Sequence, residues 1–187
     1  EFFRSMQTDD YVSVIKFGCA AKNDIGSQGK VSDGVVKNLI NYVPNLYKVP
    51  DNASERELYY RFTDLHAMLQ HLTAEMHMPG LNNLKFIFII TDFIHDPTAE
   101  NKGKEDLAAI KRQLANEQSE NHLYVFALQL PGKDAGRDLD KVKSAFPVPI
   151  ELEEVQDKAA LSEWFSHKKN RILLYKFTAL IRNKHID

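Results

Sequence analysis

Cysteine is almost missing from this chain: Cys19 is the single one in 187 residues. A lone thiol excludes an internal disulfide framework and any cysteine-rich zinc site. It fits a soluble domain in a reducing compartment, the cytoplasm in the first instance, although a periplasmic domain could share it. Cys19 follows a strand and could serve as a nucleophile; an inert buried thiol is the plainer reading, by about five to one. Long apolar runs are also missing. None approaches the roughly 20 residues of a membrane helix, so no membrane span is expected, and no signal-peptide pattern is present. A formal charge of −2 supplies no global attraction for nucleic acid or for an anionic membrane.

Several catalytic signatures are absent as well. G-x-x-x-x-G-K-[ST] does not occur; Gly29-Lys30 is its nearest fragment, with Asp24 and Val31 at the other required positions. No G-x-G-x-x-G follows a strand, which argues against dinucleotide binding. Neither a G-x-S-x-G elbow nor an H-E-x-x-H pair is present.

What is present is a globular composition, 43% hydrophobic and 27% charged, sufficient for one α/β domain over residues 1–187. The chain is organised around Leu84-Lys85-Phe86-Ile87-Phe88-Ile89-Ile90-Thr91-Asp92. Its apolar residues do not alternate with polar ones, so it reads as a parallel strand buried on both faces and central in its sheet. It ends on Asp92, at the carboxyl edge where open α/β sheets bind ligands.

Around it, residues 1–7 read as the end of an amphipathic helix and Tyr11–Phe17 as a strand. Residues 19–34, with Gly26, Gly29 and Gly34, read as a long loop with at most a short edge strand. Val35–Tyr42 has helical spacing, and Glu55–Tyr60 could begin another short helix. Leu65, Met68, Leu69, Leu72 and Met76 mark one face of a clear helix that Pro79-Gly80 would end. A helix is expected from about Lys104 to Gln118, a buried strand over His122–Leu130 and a short helix over Ala135–Ser144. Residues 147–152 form a prolyl strand suited to a sheet edge. Residues 157–165 and 172–181 read as two helices, so that about 166–187 forms a C-terminal helical extension. Strands alternating with helices predict a doubly wound, mostly parallel sheet flanked by helices, a Rossmann-like arrangement.

Two features point to one sheet edge. Asp92 ends the organising strand, and Thr63-Asp64 opens the helix before it. A threonine hydroxyl and carboxylates are hard oxygen ligands, suited to magnesium, calcium or manganese. The plainer readings, Thr63 as a helix N-cap and Asp92 as a turn residue, are favoured by about two to one on local pattern. His95 and Asp96 could extend a metal site, against the commoner solvated loop. His66 and His71 are five apart, off the spacing that lets two side chains meet one ion, and read as surface or boundary residues. Lys168, Lys169, Arg171, Lys176, Arg182 and Lys184 make the C-terminal end basic; that could touch a membrane surface or an acidic partner, or be a solvated helix end.

Three segments together resemble the von Willebrand factor type A (vWA) domain family. Asp10-Tyr11-Val12-Ser13-Val14-Ile15-Lys16-Phe17 is similar to that family's D-x-V-x-V-I-x-F strand. Phe62-Thr63-Asp64-Leu65 is similar to its T-D-L segment, and Ile89-Ile90-Thr91-Asp92-Phe93 to its strand-end acid. The resemblance spans about residues 1–165. It implies a non-enzymatic protein-interaction module whose metal-ion-dependent adhesion site binds a divalent cation, Mg²⁺ for example, and through it a carboxylate of a protein partner. Thr63 and Asp92 would be metal ligands there, with Asp64 in support. The family's principal ligands come from a D-x-S-x-S loop after a central strand, and no D-x-S-x-S occurs in this chain. Either a segment precedes Glu1, or another strand substitutes, or the resemblance misleads; a fragment or a diverged relative is the favoured expectation. Residues 171–181 could be a substitute strand in a swapped dimer, although their spacing is helical. The rival expectation is a metal-dependent hydrolase or phosphoryl-transfer enzyme using Asp92, His95 and Asp96, and a third is a metal-free scaffold.

Overall fold

The computed structural model describes residues 4, 6–8, 10–42, 51–56, 62–76, 84–120, 122–155 and 158–184. In chain order they form β1 (Tyr11–Phe17), β2 (Ala21–Lys30), α1 (Asp33–Tyr42), α2 (Ala53–Arg56), α3 (Leu65–Met76), β3 (Leu84–Thr91), α4 (Leu107–Glu120), β4 (His122–Gln129), α5 (Leu139–Ala145), β5 (Ile150–Glu154) and α6 (Lys158–Lys184). β3, β4 and β5 make a parallel sheet in that order, while β1 and β2 form a separate antiparallel hairpin. The fold is mixed α/β, a three-stranded parallel sheet flanked by helices and compatible with a Rossmann-like arrangement.

Helices cover both faces of β3 and β4, which is why these two strands are largely apolar without alternation, whereas β5 alternates Ile150, Glu151, Leu152 and Glu153. One face carries Ile87 and Ile89 of β3 and Leu123, Val125 and Ala127 of β4. These pack under Leu65, Met68 and Leu69 of α3, Ile110 and Leu114 of α4, and Val142 of α5. The other face carries Phe86, Phe88, Tyr124, Phe126 and Leu128, covered by Trp164, Phe165 and Tyr175 of α6. The register sets Phe86 opposite Tyr124 and Phe88 opposite Phe126, and each pair stacks, with centroids 5.4 and 5.3 Å apart. Such cross-strand ring pairs add about 0.5–1.5 kcal/mol each beyond the area they bury.

Three helices start on the same device. Ser32 Oγ accepts from Val35 N–H, Asp64 Oδ1 from Ala67 N–H and Asp106 Oδ1 from Ala109 N–H, at 3.3, 2.9 and 2.9 Å. Each is a side-chain cap on an N–H that the helix cannot satisfy itself.

The expectations for β1, α1, α3 and β4 hold closely; β5 starts three residues later than expected, at Ile150, so Pro147 and Pro149 precede it. β3 is parallel, but among the described residues it lies at an edge of its sheet, and β4 is the central strand. A largely apolar run reports two covered faces, not how many neighbours the backbone has. Residues 21–30 are a ten-residue strand rather than a loop. Backbone pairing with β1 holds them in spite of their polar side chains, with an irregularity between Ser13 and Ile15. The two C-terminal helices are one continuous helix, so residues 171–181 are helical and not a spare strand. Most of the helix end expected over residues 1–7, the Pro79-Gly80 stop and residues 57–60 lie outside the described residues.

β1 runs in the same direction as β3, as the ties at both ends show. At its carboxyl end, Asp64 N–H donates to Gly18 O at 2.5 Å, while Thr63 and Asp96 exchange backbone hydrogen bonds just beyond β3. At the other end, Lys176 meets Asp10 at 2.5 Å, one residue after Tyr175 stacks on Phe86. Both strands therefore point towards the start of α3.

Candidate functional site at the carboxyl edge of the sheet

β3 delivers Thr91 and Asp92 to this edge, and the next four residues form a clamped loop. Asp92 Oδ1 accepts from Ile94 N–H at 3.1 Å and lies 3.4 Å from the Thr91 hydroxyl. This is an aspartate closing a turn on its own backbone, two residues on. Phe93 follows with φ of 54° and no exposed surface, a left-handed conformation that costs a large side chain roughly 1–3 kcal/mol. The neighbouring loop holds it there: Gly136 N–H donates to Asp92 O at 2.7 Å and Asp138 N–H to Phe93 O at 3.0 Å. Asp138 Oδ2 in turn accepts from His95 N–H and Arg137 Nε, both at 2.9 Å, and Arg137 Nη2 reaches His95 O. Burial pushes the Asp138 carboxyl up, but these donors and Lys141 outweigh it and hold the group below its ordinary value.

His95 is 7% exposed, not a residue of a solvated loop. Its Nδ1 accepts from Leu65 N–H at 3.1 Å, and its Nε2 lies 2.8 Å from Glu105 Oε1. A ring nitrogen that accepts from a backbone N–H carries no proton, so the proton sits on Nε2 and is donated to Glu105. The hydrogen bond from His95 is the main cause holding the Glu105 carboxyl below its usual range. His66 acts alike one helix on: its Nε2 accepts from Asp106 N–H at 2.9 Å. Two histidines thus staple the starts of α3 and α4. A cavity of about 240 Å³ opens between them, bordered also by Glu105 and Lys141. It is smaller than the roughly 300–1,000 Å³ of ordinary ligand pockets. With both nitrogens of His95 engaged, the ring is not poised as a base or a metal ligand in this structure. Asp96 is exposed and meets Thr63 through its backbone.

The sequence-predicted oxygen donors separate into spent and unspent. Asp64, not Thr63, caps α3. It is 3% exposed, with Oδ1 on Ala67 N–H and Oδ2 receiving Asn101 Nδ2 at 3.2 Å. Thr63 is held at the same edge by its backbone bridge to Asp96, and its hydroxyl makes no hydrogen bond among the described residues. The same holds for Asp92 Oδ2. Among the described residues, no three of His, Cys, Asp and Glu form a metal-ligand set. Two hard oxygens suit a divalent cation in kind but fall short of the six that magnesium takes.

Asp138, Arg137 and Glu105 were not singled out from sequence. Asp138 lies in a polar stretch before a short helix, and nothing local signals that it reaches 43 residues back to the loop after β3. Cys19 is half-buried in the turn between β1 and β2. No described helix is long and apolar enough to cross a membrane. The chain matches no protein-family model, no curated protein and no solved structure.

Proposed function

We propose that this chain is a non-enzymatic protein-interaction module of the vWA type. Thr63 Oγ1 and Asp92 Oδ2 share a divalent cation, Mg²⁺ or Mn²⁺, at the carboxyl edge of β3, and a partner carboxylate joins the cation's coordination. Asp64 and the loop of residues 136–138 hold the two ligand-bearing segments still. The reading rests on one observation: at an edge where Asp64, His95 and Asp138 spend their polar atoms on hydrogen bonds within the chain, the hydroxyl of Thr63 and one oxygen of Asp92 are left without a partner among the described residues. The separation of the hairpin from the parallel sheet supports it. The resemblance implies a central strand whose D-x-S-x-S loop this sequence lacks, and among the described residues β1 and β3 run in the same direction without pairing to each other.

With two protein ligands the cation would be held weakly, and water would complete its shell. Calorimetric titration of the chain with Mn²⁺ and Mg²⁺ should give weak, saturable binding that Thr63→Ala and Asp92→Ala each weaken about tenfold or more, on the scale of a lost ligand contact. Equal affinity in the parent and in both variants would sink the site.

A further inference from the structure

The cavity between the starts of α3 and α4 has no part in the cation reading, since neither Thr63 nor Asp92 borders it. Three helices give it an apolar floor: Leu65 and Leu69 of α3, Leu107 of α4 and Val142 of α5. Leu65, Leu69 and Val142 are buried. Water is poorly held on such a floor, because an enclosed water needs about two to four polar partners. The mouth is polar. His66 Nε2 accepts from the N–H of Asp106, the residue after Glu105, so the His66 ring and the Glu105 carboxylate border the mouth together. An accepting Nε2 carries no proton, which places the proton on Nδ1. His66 makes no other hydrogen bond among the described residues. An ionised carboxylate has about four acceptor positions, and Glu105 spends one on His95 and one on its own backbone N–H. An N–H donor and a carboxylate acceptor are thus open at one mouth above an apolar floor.

We propose that this cavity binds a small neutral amphiphile, a short apolar chain that ends in a hydroxyl group. The chain lies on Leu65, Leu69, Leu107 and Val142, while the hydroxyl accepts from His66 Nδ1–H and donates to Glu105. Volume limits the chain. A cavity of about 150 Å³ holds benzene, so the 240 Å³ here takes roughly seven or eight heavy atoms. The polar mouth selects the head group. A carboxylate would answer His66 but be repelled by Glu105. An ammonium would answer Glu105 but face the His66 N–H and Lys141, which lies within electrostatic reach of Glu105 and is already paired with Asp138 at 3.3 Å. A hydroxyl is the smallest neutral group that serves the donor and the acceptor at once.

The test titrates the whole chain with hexanol and follows the backbone amides by two-dimensional NMR. Saturable shifts should centre on Leu65, Leu69, Asp106 and Val142. Methyl pentyl ether is an isomer of hexanol that accepts a hydrogen bond but cannot donate one; it should bind about tenfold more weakly, the scale of a lost hydrogen bond to a charged group. Hexanoate and hexylammonium should each bind at least about tenfold more weakly than hexanol. Glu105→Gln should erase the preference for the alcohol over the ether, because the carboxylate acceptor is gone. Leu107→Trp should fill the cavity and abolish the shifts, with circular dichroism reporting whether the variant is folded. The comparison of ligands on the parent chain decides the matter even where a variant fails to fold. The proposal is overturned if hexanol gives no saturable shifts up to its solubility limit, or if the shifts centre elsewhere. It is also overturned if the ether, hexanoate or hexylammonium binds the parent as tightly as hexanol, or if a folded Glu105→Gln keeps the preference. No cation enters these titrations, so the cavity and the cation site can fail separately.

Discussion

Substituting His95 separates a structural staple from a reactive group. The side chain is nearly fully buried and makes two hydrogen bonds, one accepted at Nδ1 from Leu65 N–H and one donated from Nε2 to Glu105. His95→Ala removes both and leaves the Leu65 N–H, one of the donors α3 cannot satisfy itself, without its acceptor. A lost cap costs about 1 kcal/mol and a charge-assisted hydrogen bond about 1.5–3 kcal/mol. The Glu105 partner is partly exposed and regains water, so the lower end applies to that bond, and a total of about 2.5 kcal/mol follows. For a chain of this size that lowers the melting temperature by about 5–10 °C. Two isosteres divide the loss. Asparagine can place its Oδ1 where Nδ1 sits, keeping the Leu65 bond and losing Glu105. Glutamine can place its Nε2 where the ring Nε2 sits, keeping Glu105 and losing Leu65. Both variants should melt between the parent and His95→Ala, and Glu105→Ala should add little to His95→Ala. Differential scanning calorimetry reads all of these. If His95→Ala melts within about 2 °C of the parent, a shift below 1 kcal/mol, the staple is wrong and the ring must be kept for another purpose.

Three further outcomes follow from the same edge. Glu105 and Asp138 both have lowered values in the folded state, so the stability they add is present above the ordinary carboxylate range and is lost as pH falls through the lowered values. Melting temperature should therefore be flat near neutrality and fall below about pH 4, and Asp138→Asn should flatten that fall; an unchanged acid limb would refute the assignment. Phe93→Ala should cost about 3–5 kcal/mol for its buried ring, and Phe93→Gly no more than that. Glycine normally costs up to about 1 kcal/mol more than alanine, but at a positive φ it recovers the strain; a glycine variant clearly less stable than the alanine one would contradict the left-handed geometry. In hydrogen exchange, alternate amides of β3 point away from β4, so about half of them should exchange at least tenfold faster than those of β4, which has a strand on each side. Equal protection of the two strands would refute the edge position of β3.

The elements with a local signature were legible in the sequence. Leu65, Met68, Leu69 and Met76 recur at helical spacing and are buried together. β3 and β4 lack alternation because helices cover both faces of their sheet. What escaped is what the backbone decides at a distance. β2 is polar and glycine-bearing, and only the ladder to β1 makes it a strand. The edge position of β3 is set by which strands pair, and no side chain records that. At the site, Asp92 and Thr63-Asp64 were found because they stand at the ends of legible elements. The cap fell to Asp64 rather than Thr63 because the bridge between Thr63 and Asp96 fixes where α3 can begin, and that bridge spans 33 residues. His95 read as a loop residue, since a histidine that serves two helix starts looks in sequence like any polar residue after a strand.

The edge of β3 and the oxygens of Thr63 and Asp92 left without a partner among the described residues lie at one end of the sheet. β1 and β3 run in the same direction, with the start of α3 tied to the carboxyl ends of both. A strand lying between them and parallel to both would bring its own carboxyl end to Thr63 and Asp92, whatever chain supplied it. On the cation reading proposed above, the loop after such a strand is where further oxygen ligands would come from. Backbone pairing and metal coordination would then complete each other: the strand fixes where the loop arrives, and a cation held by both sides favours the strand's insertion. The clamped turn at Phe93 fits that arrangement, because a ligand can be positioned in advance only if the turn that carries it is held by neighbours other than the ion. Asp138 and Gly136 supply that hold from the loop after β4, through the backbone of residues 92–95.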